Sequence, residues 1–209
     1  MMREEPTLPS ARRRLANTPI PTHHIPQRGN WFSVWLGSSL LSLFGWRFEG
    51  NLPQLSKFVA IGAPHTSSHD VFVAVWAFWA LGLRVNWMAK HTLFKGISGI
   101  FFRWMDAVPI NRTSAHGVVS QMTDAFASRD KFILALVPEG TRAKVDRWKT
   151  GFYHIACAAH VPILPVALDF GHKVIRFGNC LWPTGELEAD LAQLQSFYQD
   201  VVGHIPARG

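Results

Sequence analysis

From residue 57 onward, the sequence alternates between short apolar segments and longer segments whose apolar residues recur at helical spacing. Such alternation is typical of α/β proteins, because two parallel strands need a crossover connection that is usually a helix. The sequence therefore predicts an α/β fold with a mainly parallel central sheet flanked by helices. The strand-like segments are residues 57–63, 84–89, 108–110, 131–137 and 163–170. The predicted helices are residues 69–83, 93–104, 113–128 and 151–160, with a last helix after Thr184.

The segment from Trp31 to Trp46 is apolar and carries no charge. As a helix at 1.5 Å per residue it spans about 24 Å, less than the hydrocarbon core of about 30 Å, so we do not expect a full membrane crossing. Its pattern predicts an amphipathic helix at the membrane interface, and a helix packed on the domain is the alternative. The predicted apolar side is Phe32, Leu36, Leu40, Leu43 and Phe44, and the opposite side is Trp31, Trp35, Ser38, Ser39, Ser42, Gly45 and Trp46.

Residues 1–30 contain five Arg, five Pro and few large apolar side chains. This composition is typical of a flexible basic segment. The arginines lie far before the apolar run and no small-residue cleavage site follows it, which argues against a secretory signal peptide. We therefore predict a basic, flexible lead at 1–30, a membrane-interface helix at 31–50 and one α/β domain at 51–209.

Basic residues exceed acidic residues by seven, with much of the excess in residues 1–30 and in the middle of the chain. A basic middle region suits an anionic partner such as a phosphate group, a coenzyme or an anionic lipid surface, although solvated surface charge gives the same composition. No pattern of a nucleic-acid-binding module is visible, so we predict no nucleic acid partner. The two cysteines, Cys157 and Cys180, indicate no disulfide framework and favour a reducing cytoplasm.

The sequence APHTSSHD, from Ala63 to Asp70, follows the first strand-like segment. His65 and Asp70 are five residues apart, so on one regular helix they would point about 140° away from each other. If His65 lies in a loop and Asp70 in the first turn of the next helix, the carboxylate can fold back onto the imidazole. That arrangement makes His65 a general base whose tautomer is fixed by an acceptor on its other nitrogen.

Three other interpretations of this loop remain open at this point. Ser67 followed three residues later by Asp70 resembles a capping box, which is a helix start without chemistry. His65, His69 and Asp70 form a set of metal ligands if the helix begins before them. A hydroxyl of Ser67 or Ser68 is a nucleophile if His65 activates it, but the sequence lacks a Gly-x-Ser-x-Gly elbow.

A second polar loop, VPEGTR at 137–142, follows the strand-like segment 131–137. Parallel strands of one sheet bring the loops at their carboxyl ends to the same edge, where α/β proteins bind ligands. Gly140 permits positive φ and a close approach of backbone N–H groups to a ligand. Arg142 offers a planar fork of donors for a phosphate. We therefore expect the two loops to form one site.

Four ordered motifs resemble the glycerolipid acyltransferase family, which includes the 1-acylglycerol-3-phosphate acyltransferases. They are His-x4-Asp at 65–70, AVPINR at 107–112, VPEGTR at 137–142 and VPILPV at 161–166. The segment RWKTGFYHIA at 147–156 is also similar to the sequence between the last two motifs in relatives. Four motifs in the family's order are far more specific than any one of them.

The resemblance implies direct transfer of a fatty acyl chain from acyl-CoA or acyl-carrier protein to the hydroxyl of a lysophospholipid acceptor. In this interpretation His65 is the general base and Asp70 orients it. No metal and no cofactor besides the acyl donor is implied. Among the nearby lysines, Lys149 is our candidate for binding the coenzyme phosphates. The implied acceptor site, with phosphate contacts from its arginines, consists of Arg112, Glu139, Gly140, Thr141 and Arg142.

The sequence departs from the family at two places. The second motif has Asn111 where relatives usually carry Asp, and Asp106 with Ala107 where glycine is expected. We expect the lost carboxylate to alter the contacts with the acceptor head group. His69 stands where relatives commonly carry an aromatic residue, and a surface histidine is the simplest interpretation.

Taken together, these features predict a peripheral or monotopic acyltransferase on the cytoplasmic face of the inner membrane, docked on anionic lipids by the helix at 31–50. A non-catalytic lipid-surface binding protein on the same scaffold is the alternative that Asn111 raises. A metal-dependent hydrolase using His65, His69 and Asp70 is the third hypothesis.

Overall fold

The structure is a computed structural model that describes residues 18–111, 115–141, 145 and 147–205. Two predicted site residues, Arg112 and Arg142, lie outside the described residues. The same holds for residues 1–17 of the predicted basic lead. The division into a lead, an interface helix and a domain therefore stays a prediction.

The described residues form seven β-strands and six α-helices, and a short 3-10 helix at His91–Phe94. The strands are β1 (Arg47–Glu49), β2 (Lys57–Ala63), β3 (Trp87–Lys90), β4 (Ala107–Ile110), β5 (Phe132–Leu136), β6 (Ile163–Asp169) and β7 (Val174–Phe177). The helices are α1 (Trp31–Leu43), α2 (His69–Leu81), α3 (Gly96–Trp104), α4 (Ala115–Ala127), α5 (Gly151–Ala159) and α6 (Leu187–Ser196).

Five strands form the central sheet in the order β1-β7-β6-β2-β5. All neighbouring strands are parallel except β6 and β7, so the predicted mainly parallel sheet is confirmed. β3 and β4 form a separate parallel pair. Asn86 connects this pair to β5, because its N–H donates to the Ile133 carbonyl and its carbonyl accepts from the Ala135 N–H, both at 2.8 Å. β2 thus lies between β5 and β6, with its carboxyl end at the edge where ligands are expected.

The segments with clear periodicity and the short predicted strand at 108–110 fold as predicted, whereas two further short strands were not predicted. β2 covers the whole predicted segment 57–63, and α5 ends one residue before the predicted end. No sequence pattern predicts β1 and β7, because strands of three and four residues are too short to show alternation. The predicted helix at 93–104 is divided at Lys95 into the 3-10 helix and α3.

α1 begins after Asn30, whose side chain accepts hydrogen bonds from the backbone N–H groups of Phe32 and Ser33. It ends at Leu43, well before the end of the predicted helix at 31–50, and residues 47–49 of that segment form β1 instead. Trp46, which we predicted to lie at the membrane interface, is instead buried, with its ring 4.8 Å from that of Phe170. Among the described residues, no helix is both long and apolar enough to span a bilayer.

The predicted amphipathic division of α1 is not confirmed, because large exposed side chains come from both predicted sides. Its buried residues are Gly37, Ser38 and Leu41. A Cβ on Gly37 would lie 2.5 Å from the backbone N of Ala80, so the close approach of α1 to α2 requires a small residue here. Gly37 and Ser38 thus face the domain beside Leu41, whereas five large apolar side chains are exposed: Trp31, Phe32, Trp35, Leu43 and Phe44.

Two apolar cores lie on opposite faces of the sheet. Val59 and Ile61 of β2 belong to the core shared with α4, α5 and α6. Phe58 belongs to the core shared with α1 and α2. This period of two is expected of a strand that is covered on both faces. The predicted apolar face of the last helix also packs on the first core, through Leu187, Leu191, Leu194 and Tyr198.

Asp190 links α6 to α5. It is 3% exposed, and its carboxylate accepts hydrogen bonds from the Tyr153 hydroxyl at 2.7 Å and from the Thr184 backbone N–H at 2.8 Å. Burial raises the pKa of Asp190, but the donors on Thr184 and Tyr153 outweigh burial and hold the pKa below its usual value of 3.8. An ionised carboxylate therefore helps to fix α6 on the sheet.

We predict that Asp190→Asn lowers the free energy of unfolding at pH 7 by about 2 kcal/mol, the typical contribution of a hydrogen bond to a charged group. Because the folded-state pKa is lowered, this contribution is present above pH 3.8 and is lost as the pH falls through the lowered value. Urea unfolding at pH 7, 5 and 3 measures the difference, which should shrink at pH 3. The exposed Asp130→Asn is the control. A difference that stays constant with pH would contradict this role.

Candidate active site

His65 follows β2, and Glu139 follows β5, the neighbouring parallel strand. The backbone N–H of His65 donates to both carboxylate oxygens of Glu139, at 3.2 and 3.1 Å. The two polar loops therefore meet at the carboxyl ends of their strands, as we expected from the parallel arrangement. This contact defines one site.

His65 and Asp70 are in contact within this site. α2 begins at His69, so Asp70 lies in its first turn while His65 stays in the loop. His65 Nδ1 lies 3.1 Å from Asp70 Oδ2, and the two side chains are 17% and 4% exposed. The turn from loop to helix thus joins two side chains that a continuous helix would hold apart.

The same Asp70 oxygen accepts hydrogen bonds from the backbone N–H groups of Thr66 at 2.8 Å and Ser67 at 2.9 Å. Burial raises the pKa of Asp70, but the hydrogen bonds from His65, Ser67 and Thr66 outweigh burial, and the pKa is lowered below 3.8. The carboxylate is therefore ionised at neutral pH and only accepts. This assigns the proton of the neutral His65 ring to Nδ1 and leaves Nε2 as its basic atom.

The capping interpretation is supported only in part, because the N-cap of α2 is Ser68 and its side chain makes no capping hydrogen bond. The donation from Ser67 N–H to Asp70 is the half of a capping box that the acidic residue contributes. The other half differs, because the Ser67 hydroxyl accepts from the His69 N–H at 3.0 Å. Ser67 is 6% exposed and its hydroxyl faces His69 and Asp70, which gives no support to a Ser67 nucleophile.

The metal interpretation finds no support either. The His69 ring stacks on His204, with ring centroids 4.3 Å apart and an interplanar angle of 11°. Its Nδ1 lies 3.3 Å from the Ser67 hydroxyl. Within the part of the chain that the structure describes, no three His, Cys, Asp or Glu side chains are grouped to hold a metal ion. His69 is thus a packing residue.

Glu139 is the buried carboxylate of the second loop, at 7% exposure. Burial raises its pKa above the usual 4.5, and the hydrogen bond from the His65 N–H opposes this rise without cancelling it. Both carboxylate oxygens of Glu139 accept from the backbone N–H of His65. Glu139 therefore acts as the anchor that fixes the imidazole-bearing loop against β5.

Gly140 adopts a φ of +63°, a conformation that favours glycine. A Cβ at this position would lie 2.7 Å from Lys149 Nζ, so the Lys149 side chain crosses directly over the turn. The Lys149 backbone N–H donates to the Pro138 carbonyl at 2.8 Å, which holds the two segments together. The structure thus brings Lys149 to the second loop, where Thr141 is exposed.

Only some of the other predicted substrate contacts lie within the described residues. Arg112 and Arg142, the predicted phosphate ligands, fall outside the described residues. Asn111 follows β4, is exposed, and donates its backbone N–H to the Gln121 side chain at 2.9 Å. The roles of all eight predicted site residues in binding or catalysis stay predictions.

Asp106 occupies a position where the resemblance predicts glycine, and its backbone explains why. Its φ is +58°, in the left-handed region that glycine adopts without strain. The Asp106 carboxylate forms ion pairs with Arg28 and with Arg84, the latter at 2.9 Å. These two ion pairs give the Asp106 side chain, between α3 and β4, a compensating role.

Sequence reasoning missed an apolar cavity of about 460 Å³ between the sheet and α2. His65 and Asp70 form part of its wall. Val71 and Val137 also line it and are 53% and 37% exposed, so the cavity opens to the surface next to the His65–Asp70 pair. Space remains because small residues face it from strands and helix: Ala60, Gly62, Ala74, Ala77 and Ala135. The sequence contains these small residues, but it does not show that they face the same cavity in the fold.

Two known proteins that share one name are similar to this chain in sequence. The chain is 27% identical over 169 residues to a 1-acyl-sn-glycerol-3-phosphate acyltransferase from Haemophilus influenzae, covering 75% of this chain and 67% of that protein. It is 27% identical over 157 residues to the protein of the same name from Limnanthes alba, covering 72% and 55%. The chain thus spans between half and about two thirds of these relatives.

The fold is similar to the crystal structure of the 1-acyl-sn-glycerophosphate (LPA) acyltransferase PlsC from Thermotoga maritima. The TM-score is 0.54 at 18% identity, covering 79% of this chain and 75% of that chain. Residues 46–169 match the protein family described as Acyltransferase. This range is more than half of the chain and contains His65, Asp70, Glu139 and Gly140. The resemblance seen in the four motifs is confirmed: the chain belongs to the acyltransferase family.

Proposed function

We propose that the protein transfers a fatty acyl chain from acyl-CoA or acyl-carrier protein to the hydroxyl of 1-acylglycerol-3-phosphate or a similar lysophospholipid. The observation that carries this proposal is an apolar cavity with a carboxylate-held histidine in its wall. Such a cavity suits an acyl chain, whose polar end then lies at the reacting groups. The names of the H. influenzae and L. alba relatives support the choice of acceptor.

In the proposed reaction, His65 Nε2 accepts the proton of the acceptor hydroxyl while the hydroxyl oxygen attacks the thioester carbonyl carbon. A tetrahedral oxyanion forms, the C–S bond breaks, and the imidazolium returns the proton to the departing sulfur. The products are an ester and a free thiol, so protons and electrons balance without a metal or a redox cofactor. General acid–base catalysis of this kind contributes about 100- to 10,000-fold to a rate.

Asp70 supports this step through orientation and charge. Its Oδ2 holds the Nδ1 side of the ring at 3.1 Å, so Nε2 remains the basic atom. The lowered pKa of Asp70 keeps its carboxylate ionised while His65 accepts and returns the proton. When the ring takes its second proton, the nearby negative charge stabilises the imidazolium.

The polar ends of both substrates need cations, and the basic middle of the chain supplies them. Lys149 lies over the Gly140 turn, which motivates its proposed role as a contact for an anionic group. Guanidinium groups suit phosphates because their donors match two oxygens at once. The other proposed substrate contacts are Arg112, Glu139, Gly140, Thr141 and Arg142.

A non-catalytic lipid-surface binding protein is the competing hypothesis. It accounts for the cavity and for exposed apolar groups. It gives no role to the contact between His65 and Asp70, which adds nothing to lipid binding, or to the burial of an ionised carboxylate at the cavity wall. Acyl transfer accounts for all of these features and is therefore preferred.

We further propose that the enzyme works as a peripheral or monotopic protein on anionic lipids, at the cytoplasmic face of the inner membrane. Two helices expose large apolar side chains that would be costly to leave in water, and such patches mark interaction surfaces. We call these side chains the aromatic face, and each is at least 41% exposed: Trp31, Phe32 and Trp35 of α1, and Ile97, Ile100, Phe101 and Trp104 of α3.

Arg28 joins the two parts of the aromatic face. Its guanidinium carbon lies 5.3 Å from the centre of the Trp104 ring, and it precedes the start of α1 at Trp31 by three residues. The charge also fits a bilayer, because residues 71–105 contain no Asp or Glu. Anionic headgroups attract such a segment. Arg84 of this segment pairs with Asp106, and its other cationic residues are Lys90, Lys95 and Arg103.

We predict that His65→Ala lowers the rate of acyl transfer at least about 100-fold, because the general base is lost. The assay uses purified protein, labelled acyl-CoA or acyl-carrier protein, and a panel of lyso acceptors that includes 1-acylglycerol-3-phosphate. The exposed His154→Ala is the matched control and should keep wild-type turnover. Wild-type turnover by His65→Ala, or no transfer by the wild type to any acceptor, would contradict the proposal.

Ala74 lines the cavity from α2, so Ala74→Phe should fill part of it. We predict that this change lowers kcat/KM for long-chain donors by about tenfold, equal to about 1.4 kcal/mol of lost chain binding, and spares short-chain donors. Competition between two labelled chain lengths measures the ratio. Ala158→Phe, at an exposed position of α5, should leave the ratio unchanged. Equal effects on both chain lengths would place the acyl chain elsewhere.

The aromatic face predicts different outcomes for two exposed tryptophans, Trp104 at 63% and Trp182 at 58%. Trp104→Ser should weaken binding to vesicles containing phosphatidylglycerol at least about tenfold, because fully burying even a smaller apolar side chain such as Leu or Phe contributes about 1.5–3 kcal/mol. Trp182→Ser, outside the face, should bind like the wild type. Flotation measures both. Equal binding of the two variants, or a dimer that Trp104→Ser dissociates, would contradict a membrane role.

A further inference from the structure

A segment close to the end of the described chain crosses the loop that carries His65. We call residues 202–205 the strap. At one side it is attached to the end of β6, where the Phe170 backbone N–H donates to the Val202 carbonyl at 2.8 Å. At the other side the Ile205 backbone N–H donates to the Thr66 hydroxyl oxygen at 3.1 Å. The strap therefore connects β6 to the active-site loop.

Thr66 is the residue through which the strap reaches the His65–Asp70 pair. It is fully buried, at 0% exposure. Its side chain accepts from the strap, while its backbone N–H donates to Asp70 Oδ2 at 2.8 Å. That oxygen also lies 3.1 Å from His65 Nδ1. A continuous chain of hydrogen bonds thus runs from Ile205 through Thr66 and Asp70 to His65.

Gly203 makes this close contact possible. A Cβ at this position would lie 2.6 Å from Thr66 Cγ2 and 3.2 Å from Pro64 Cγ. Real side chains do not approach this closely, so any larger residue would displace the loop or the strap. The fit between strap and loop therefore requires a glycine at position 203.

His69, an exposed residue of the first turn of α2, also contacts the strap. The His69 and His204 rings stack at 4.3 Å, and the His204 ring packs edge-on against Phe170 at 4.9 Å. A flat ring at position 69 is what this contact needs, and histidine supplies it.

We propose that Thr66 is a positioning residue, which the strap holds in place so that Asp70 and His65 keep their catalytic geometry. The kinetic effect rests on the proposed function, whereas the geometric effect does not. Without the Thr66 hydroxyl, the half-buried Ile205 N–H loses this acceptor, and the strap no longer fixes the loop. Displacement of a catalytic group by about 1 Å is enough to lower a rate about 100-fold.

The kinetic test compares Thr66→Val, which keeps the shape and removes the acceptor, with Thr66→Ser, which keeps the hydroxyl. We expect kcat to fall at least about tenfold in Thr66→Val with KM changed less than about twofold, and near-complete rescue in Thr66→Ser. Thr123→Val is the control, because its hydroxyl donates to Val119 O within α4. An unchanged kcat in Thr66→Val, or an equal loss in Thr66→Ser, would overturn the proposal.

A second readout needs no turnover. Nitrogen-15 NMR of the full-length protein reports which imidazole nitrogen carries the proton, and His65→Ala assigns the His65 signals. We expect an Nδ1-protonated His65 in the wild type and a loss of this fixed tautomer in Thr66→Val and Gly203→Ala. Gly151→Ala, where a Cβ would meet nothing within 4 Å, should match the wild type. An unchanged tautomer in both test variants overturns the proposal even if transfer is observed. A changed tautomer without wild-type transfer keeps it and removes the proposed function.

Discussion

One atom, Oδ2 of Asp70, holds the site together. It accepts hydrogen bonds from Thr66 N–H and Ser67 N–H and lies 3.1 Å from His65 Nδ1. A buried carboxylate is costly unless donors of this kind surround it, so the loop closes only with the imidazole in contact. The same contacts of Asp70 therefore fix both the start of α2 and the orientation of the His65 ring. The anchoring of the loop by Glu139 from β5 and by the strap from β6 extends this single constraint across the sheet.

The cavity beside His65 matters as much as the contacts that hold the ring. Small residues at Ala60, Gly62 and Ala74 leave a cavity beside the base where a typical core would be filled. Its opening lies at Val71, next to Phe72, which is 58% exposed. In the proposed function, this apolar opening lets an acyl chain reach the base with little exposure to water. The cavity explains why a catalytic pair is built at the side of an apolar core.

Sequence reasoning succeeded where the information was local or where topology left one choice. Periodicity predicts β2 and α2, and parallel pairing places His65 beside Glu139. It failed where the structure depends on packing between segments that are far apart in the sequence. The apolar wheel of α1 does not show that Gly37 must face Ala80, and no local pattern brings Gly203 to Thr66. The cavity depends on small residues from three elements, so it has no signal within any one of them. Asp106 shows the opposite case, because the expectation of glycine there matches a φ of +58°.

A structure of the protein bound to a ketone analogue of a long-chain acyl-CoA, with a methylene group between sulfur and carbonyl, examines the base and the cavity together. The proposed function predicts that the alkyl chain lies between β2 and α2 along Ala74, with the carbonyl beside His65 Nε2 and the coenzyme outside the cavity. An alkyl chain bound on the outer surface, or a carbonyl remote from His65 with the cavity empty, would contradict acyl transfer at this site.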